Sequence, residues 1–359
     1  MNSPLISVII PVYKAEKFIA DCLESVINQT YTNLEIIIIN EGAVDKSGEI
    51  CDSYAVRDTR ISVFHQKKSG VSVARNVGIG LAHGEFIQFV DADDVIMPNM
   101  CEKLITALLS TNCDTVICGF KTIFFNNEDI VRVIDIVPEP GILSCEKNMV
   151  TRFCLLREKG LMNVSWNKLY RRSVLHKNNI IFPVSIPISE DQFFALRYWE
   201  FVRSVCVISD TLYVYRQING ISITSKYHPD YYNYCLRFSH AVNEFCRKHA
   251  ESSAASECVA VARIALKNAC TAIEYLVHHA DKMTFAVLTD KIRAVMHDPL
   301  VTESLHTQTE MTSFYMIMKC FIRFSLIYTC IGFIKTRRTA KRLQSRFFLV
   351  NTEMKKNAT

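Results

Sequence analysis

The chain has 359 residues, 49% of them hydrophobic and 21% charged, with a formal net charge of +5 at pH 7. This composition excludes a disordered chain and allows a sizeable core, arranged as two domains or as one large domain with an appendage. Its 14 cysteines are scattered without C-x-x-C pairs or Cys/His metal spacing, and no secretory segment precedes the first apolar run, so reduced thiols and a cytoplasmic setting are expected.

Taken in chain order, apolar runs of strand length fall at 5–10, 34–39, 61–65, 85–90 and 114–120, separated by segments of helical period at 15–28, 46–57, 72–82 and 98–110. Strands rich in Ile and Val along most of their length, alternating with helices, predict an α/β fold: a mostly parallel sheet with helices on both faces and right-handed crossovers. Pro98 is expected in the first turn of the fourth helix. Ligands of such sheets bind beyond the carboxyl ends of the strands. Three polar clusters should meet there: Pro11-Val12-Tyr13, Asn40-Glu41-Gly42 and Asp91-Ala92-Asp93-Asp94.

After residue 120 the regular alternation stops. A hairpin is expected around Asn126-Asn127, followed by shorter mixed elements to about residue 225. From Asp230 the pattern is helical, near 230–249, 254–280, 283–297 and 311–346. The expected domains are therefore 1–225 and 226–359.

Residues 320–334 are apolar but too short, and too interrupted by Arg323, to cross a membrane. Phe314-Tyr315 through Phe333-Ile334 lead into the acid-free basic run of Lys335, Arg337, Arg338, Lys341, Arg342 and Arg346. A basic stretch with aromatic residues reads as a helix lying on an anionic membrane surface; a core helix followed by a solvated tail is the alternative. No nucleic-acid-binding motif accompanies the charge, so no nucleic-acid partner is expected.

Asp91, Asp93 and Asp94 stand directly behind the apolar run "FIQFV". Clustered carboxylates at a strand end repel one another and lose hydration, which a hard divalent cation relieves. Mg2+ held by one or two carboxylates and completed by substrate phosphate oxygens fits such a cluster, and so does helix capping by Asp94.

Four segments narrow the choice: "ISVIIPVYKAEKFIADCLESVINQTYTNLEIIIINEG", "KSGVSVARNVGIGLAHGEFIQFVDADD", "WNKLYRRSVL" and "ISEDQFF". Over roughly residues 3–225 the chain resembles the bacterial family 2 glycosyltransferases, whose fold is GT-A. The resemblance implies inverting transfer of a sugar from a nucleotide diphosphate sugar, most often a UDP-sugar. It also implies a divalent cofactor, Mn2+ or Mg2+.

By this resemblance Asp93 and Asp91 are the metal positions, with Asp91 also near the ribose and Asp94 behind them. Pro11, Val12 and Tyr13 would lie along the nucleoside, Glu41 on the uracil ring, and Arg75 and Asn76 beside the base and the sugar nucleotide. Arg216 and Ser222 would reach the diphosphate, and His228 is a further candidate at the metal. Asp191, preceded by Glu190, stands where the catalytic base is expected: an acceptor hydroxyl must lose its proton as it attacks the anomeric carbon. Alternatively, Ser189 and this acidic pair cap a helix. Trp166 could stack on an acceptor sugar or lie buried in the core.

The chain departs from the family where Asp-Asp-Gly-Ser-x-Asp usually follows the second strand. It reads Asn40-Glu41-Gly42-Ala43-Val44-Asp45, and the extra methylene of Glu41 moves its carboxylate by more than about 1 Å. Donor choice is the property this change touches. The expected function is assembly of a surface polysaccharide, on an acceptor carried by a polyprenyl diphosphate, at the inner face of the cell membrane. A non-catalytic scaffold that keeps the fold is the alternative. A nucleotidyltransferase is a poorer one, since the glycine-rich phosphate loop after the first strand is missing.

Overall fold

The computed structural model describes residues 3–42, 44–126, 129–144, 149–218, 227–249, 255–307, 309, 311–337 and 339. The chain divides into two compact units, residues 1–226 with 249–251, and residues 227–248 with 252–359.

The first unit begins with β1 (Ile6–Val12), α1 (Ile19–Ile27), β2 (Leu34–Asn40), α2 (Ser47–Arg57), β3 (Ile61–His65), α3 (Val71–Leu81) and β4 (Phe86–Phe89). It continues with β5 (Val95–Ile96), α4 (Met100–Thr111), β6 (Thr115–Asn126), β7 (Asp129–Ile136), β8 (Gly141–Ser144), α5 (Met149–Glu158), β9 (Lys168–Arg171), α6 (Arg172–Lys177), α7 (Glu190–Trp199) and β10 (Ser204–Ile218).

Strand order is β3-β2-β1-β4-β9-β6-β10-β5, with β7 paired to β6 and β8 to β10. The β1/β2, β2/β3 and β1/β4 pairs are parallel. β9 runs antiparallel between β4 and β6, so the sheet is mixed beyond its first four strands. Residues 6 to 10 of β1 are all buried. Because successive side chains point to opposite faces, both faces of this strand are covered, which is why its sequence is a continuous apolar run.

Packing follows the sequence pattern closely. α1 buries Ile19, Cys22, Leu23 and Val26, the i, i+3, i+4, i+7 stripe of a helix with one face on a core. α3 lies so close to β1 that a Cβ on Gly78 would sit 2.4 Å from Ile9 Cγ2. Pro98, expected inside the fourth helix, stands just ahead of it: Asn99 is the N-cap of α4, and the turn closes through Met100 N–H to the Met97 carbonyl at 3.0 Å. β6 and β7 form the expected hairpin, pairing out to Asn126 and Asp129.

The second unit contains α8 (Tyr231–His249), α9 (Ala255–His278), α10 (Phe285–Met296), α11 (Pro299–Ser304), α12 (Ser313–Arg323) and α13 over 327–337. Asp298 caps α11, accepting from the N–H groups of Leu300 at 3.0 Å and Val301 at 3.2 Å. The single stretch expected over 311–346 is two helices, broken at 324–326 where Ser325 adopts φ 51°.

One apolar face of each of those two helices is committed to a core. Met318, Ile322, Ile327, Cys330, Ile331 and Ile334 belong to one buried core with Leu266, Ile273, Leu288 and Ile292. Arg337 is tied down by Glu274 at 2.8 Å and stacks on Phe314 with Cζ 3.5 Å from the ring centre. The stretch expected as one amphipathic surface helix is thus two helices that each bury one face, with Met316, Ile317, Phe324, Leu326 and Tyr328 left exposed. Of the basic run, Arg338, Lys341, Arg342 and Arg346 lie outside the described residues. No helix among the described residues is long and apolar enough to cross a membrane.

Candidate active site

The parallel strands end in the expected clusters, and one cation joins two of the acidic segments. Arg75, on the first turns of α3, is 3% exposed. Its guanidinium donates to Asp91 Oδ1 at 2.8 Å, Glu190 Oε1 at 3.1 Å and Asp191 Oδ1 at 2.8 Å. Residues 91 and 191 are thus held within the span of a single guanidinium. A planar fork of donors suits such multiple engagement; a lysine would act as a point charge. The underside of Arg75 rests on Phe182, with Cζ 5.1 Å from the ring centre.

Its neighbour Asn76 is a latch. The side chain donates to the Phe182 carbonyl at 2.9 Å and accepts from the Phe182 N–H at 2.8 Å. Phe182 in turn stacks on Phe194 of α7 at 3.8 Å. Asn76, expected beside the sugar nucleotide, here spends its amide on fixing the segment that leads to α7. Asn76→Ala should destabilise the first unit by about 1–3 kcal/mol, because it leaves a buried N–H and a carbonyl unpaired. Chemical denaturation checks this, and an unchanged midpoint would contradict it.

The acidic loop is organised from β10, through the two-residue β5 that pairs with it. Asp94 is fully buried and accepts from Tyr213 Oη at 2.8 Å and from the Arg216 N–H at 2.7 Å. These bonds replace the helix-capping role. Tyr213 Oη also accepts from the Asp91 N–H at 3.0 Å, so one hydroxyl fixes the backbone of Asp91 and the carboxylate of Asp94. Arg216 is engaged with Asp21 at 3.0 Å.

Asp93 makes no ion pair among the described residues and its side chain is exposed. Partial desolvation, then the charge of Asp91, push it up to about 6. Solvent at this open position screens part of that shift.

At the start of α7, burial and then the charge of Asp191 raise Glu190 to about 7. Burial raises Asp191 as well, while Arg75 and Lys168 oppose it. Lys168 is 2% exposed and donates to the carbonyls of Leu161 at 2.5 Å and Val164 at 2.7 Å. Burial lowers its pKa to about 7. Ser189, the N-cap, adopts φ 68° and makes no side-chain cap, so the capping alternative is not what holds the pair.

The raised pKa of Glu190 sets a pH dependence. A carboxyl group raised in the folded state binds its proton more tightly there than in the unfolded chain. Its stabilisation is complete below the unfolded value near 4.5 and is lost as pH rises through about 7. The free chain should melt higher at pH 5.5 than at pH 7.5, and Glu190→Gln should flatten that slope. An identical slope in the variant would contradict the assignment.

The other expected positions divide. Pro11 and Val12 end β1 beside Asn40, and Tyr13 Oη accepts from Lys68 Nζ at 3.0 Å. Glu41 is 4% exposed, and its Oε1 accepts from the N–H groups of Ser69 at 2.8 Å and Gly70 at 2.7 Å. The carboxylate thus holds the turn that enters α3, where Gly70 takes φ 95°. Trp166 is 2% exposed and stacks on Tyr213 at 3.9 Å. It presents no open face to a sugar, and the expected acceptor platform is corrected to an aromatic strut beneath the acidic loop. Ser222 lies outside the described residues, and His228 falls in the second unit.

Tyr213, Phe182 and Lys168 received no functional role from the sequence. Only "WNKLY", within a segment of the resemblance, pointed to the neighbourhood of Lys168.

Residues 7–178 match the family model described as Glycosyl transferase family 2. The chain is 38% identical over 234 residues to the Bacillus subtilis protein EpsH, named as a glycosyltransferase, covering 63% of this chain and 64% of that protein. It is 30% identical over 232 residues to an uncharacterized glycosyltransferase of Haemophilus influenzae, covering 63% of this chain and 69% of the relative. The chain spans a little under two thirds of the length of the first curated relatives, 64% and 63%. The structure of Staphylococcus aureus TarS residues 1–349 in complex with UDP-GlcNAc superposes with a TM-score of 0.62 at 20% identity, covering 93% of this chain and 92% of that one. At that identity the likeness gives the fold: a mixed α/β sheet of the GT-A type followed by helices. The first unit carries these motifs in order, and the chain belongs to glycosyl transferase family 2.

Proposed function

We propose that the chain transfers a sugar, with inversion, from a UDP-sugar to a hydroxyl of a growing surface polysaccharide whose acceptor end is carried on a lipid diphosphate. The observation that carries this reading is the Arg75 junction, which sets Asp191 and Glu190 across from Asp91. One carboxylate is needed to take the proton of the attacking hydroxyl, and another to hold a cation that meets the diphosphate. Choice of a UDP-sugar is supported by the UDP-GlcNAc bound to TarS.

A divalent cation fits the residues present. Among the described residues, no cluster of three or more His, Cys, Asp or Glu side chains could cage a metal. Asp93 and Asp91 supply two carboxylates, and the raised pKa of Asp93 marks a position where negative charge lacks a partner. Two carboxylates completed by substrate oxygens are what Mg2+ or Mn2+ takes at a phosphate-bearing substrate. Bound there, the cation would neutralise charge developing on the departing diphosphate.

The protein's own part is geometric and electrostatic. Burial raises Asp191, which strengthens it as a proton acceptor, and Arg75 and Lys168 act against that rise. Glu190, raised to about 7, adds less negative charge beside it. Tyr213 keeps the backbone of Asp91 and the carboxylate of Asp94 fixed, which holds the acidic loop where Asp91 meets Arg75. Glu41 braces the turn into α3 and with it the placement of Arg75.

A donor panel of UDP-glucose, UDP-galactose and their N-acetyl forms, read by release of UDP, tests the reading. One donor turned over in a Mn2+-dependent way is the expected result. No UDP release from any of them, with or without Mn2+, would favour the scaffold alternative.

A further inference from the structure

We propose that the cleft between α9 and α12 is a binding site for the phosphate group of a phosphate ester. Its volume is about 710 Å³, and it is lined by Val259, Arg263, Thr309, Met316, Lys319, Cys320 and Arg323. Three cations and no carboxylate line it among the described residues.

The cations are placed by helical spacing. Val259 and Arg263 are one turn apart on α9, while Met316, Lys319, Cys320 and Arg323 form the i, i+3, i+4, i+7 stripe of α12. Lys319 Nζ donates one hydrogen to the Thr307 carbonyl at 2.8 Å, leaving two for a ligand. Arg323 adds a guanidinium fork, the geometry that matches paired phosphate oxygens. Neither Lys319 nor Arg323 has a carboxylate partner among the described residues. Burial and then the charge of Arg323 lower the pKa of Lys319. An anion seated between the two would relieve that repulsion.

The surroundings favour an ester with a hydrocarbon part. Met316, Ile317, Phe324, Leu326 and Tyr328 are exposed along and just past the cationic stripe, and Phe285 stacks against Tyr328 at 5.9 Å. Apolar and aromatic side chains beside basic ones suit the boundary between lipid headgroups and acyl chains. The chemistry recognised is the phosphate group, which an anionic lipid or a soluble phosphate ester could both present.

The test uses the full chain, the double variant Lys319→Gln/Arg323→Gln, and Arg323→Gln alone, a substitution at an exposed position. Unchanged melting establishes that each variant is folded. Inorganic phosphate is titrated calorimetrically. Sedimentation then uses vesicles of about three parts phosphatidylcholine to one part phosphatidylglycerol, against phosphatidylcholine alone.

Wild type should bind phosphate, the double variant about thirtyfold more weakly, and Arg323→Gln in between. Sedimentation with the anionic vesicles, lost in the double variant, would identify a lipid headgroup as the source. Phosphate binding without vesicle binding would identify a soluble ester. Binding equal in wild type and double variant, or none to wild type with either probe, overturns the proposal.

Discussion

Asp191→Asn is expected to lower turnover by at least about a hundredfold while leaving UDP affinity nearly unchanged, since removing a general base costs roughly 10²–10⁴ in rate. The substitution keeps size and the ability to accept a hydrogen bond, so Arg75 retains a partner and the acidic loop keeps its place. Only proton acceptance is lost. Glu190 is the control: raised to about 7, it is partly protonated at neutral pH, whereas Arg75 and Lys168 counter the raising of Asp191. Glu190→Gln should cost less than Asp191→Asn in single-turnover rate. The reverse order would move the base to residue 190.

Arg75→Met should affect both stability and catalysis. It keeps most of the side-chain volume but leaves Asp91, Glu190 and Asp191 facing one another without their shared cation. Removing one partner of a buried ionic group costs about 3–5 kcal/mol, and the partial exposure of the three carboxylates places the effect on the order of 3 kcal/mol. For a unit of this size that lowers the melting temperature by roughly 6–12 °C. The loss should be smaller at pH 5.5 than at pH 7.5, because uncompensated carboxylates have raised pKa values and protonation removes the repulsion. Turnover should fall more than about a hundredfold as Asp191 and the acidic loop lose their common anchor. A variant that melts within about 2 °C of wild type at both pH values would remove Arg75 from this role.

The parallel half of the sheet was legible because β1 and β2 are buried on both faces and read as nearly unbroken Ile and Val runs. The amphipathic stripe of α1 was equally plain. The junction at Arg75 was not, since positions 75, 91 and 190–191 come together only when α3, the acidic loop and α7 are packed. Asn76 looked like a ligand for the same reason: its partner is the backbone of residue 182, which no side-chain pattern reveals. β5 is two residues long and carries no period, yet its pairing with β10 is what sets Tyr213 under Asp91 and Asp94. β10 itself contains register shifts between Val207 and Tyr213, which break the alternation that would have marked a long strand.

In the helical unit, the apolar residues of 314–334 were visible but not their destination. A membrane-facing stripe and a core-facing stripe have the same spacing, and the break between α12 and α13 turns on Ser325 in a left-handed conformation, where no glycine or proline announces it. The carboxylates of the acidic loop, by contrast, were read from their chemistry alone, as negative charge set at a strand end.

The central claim is that this crevice grips a nucleotide diphosphate through a cation at Asp93 and Asp91. Calorimetric titration of UDP into the full chain, with and without Mn2+, measures it directly. The account predicts binding that requires Mn2+ and disappears in Asp93→Ala, while the variant's melting temperature stays at or above that of wild type because a repelling charge is gone. No heat at millimolar UDP in the presence of Mn2+, or equal binding by wild type and Asp93→Ala, would contradict it.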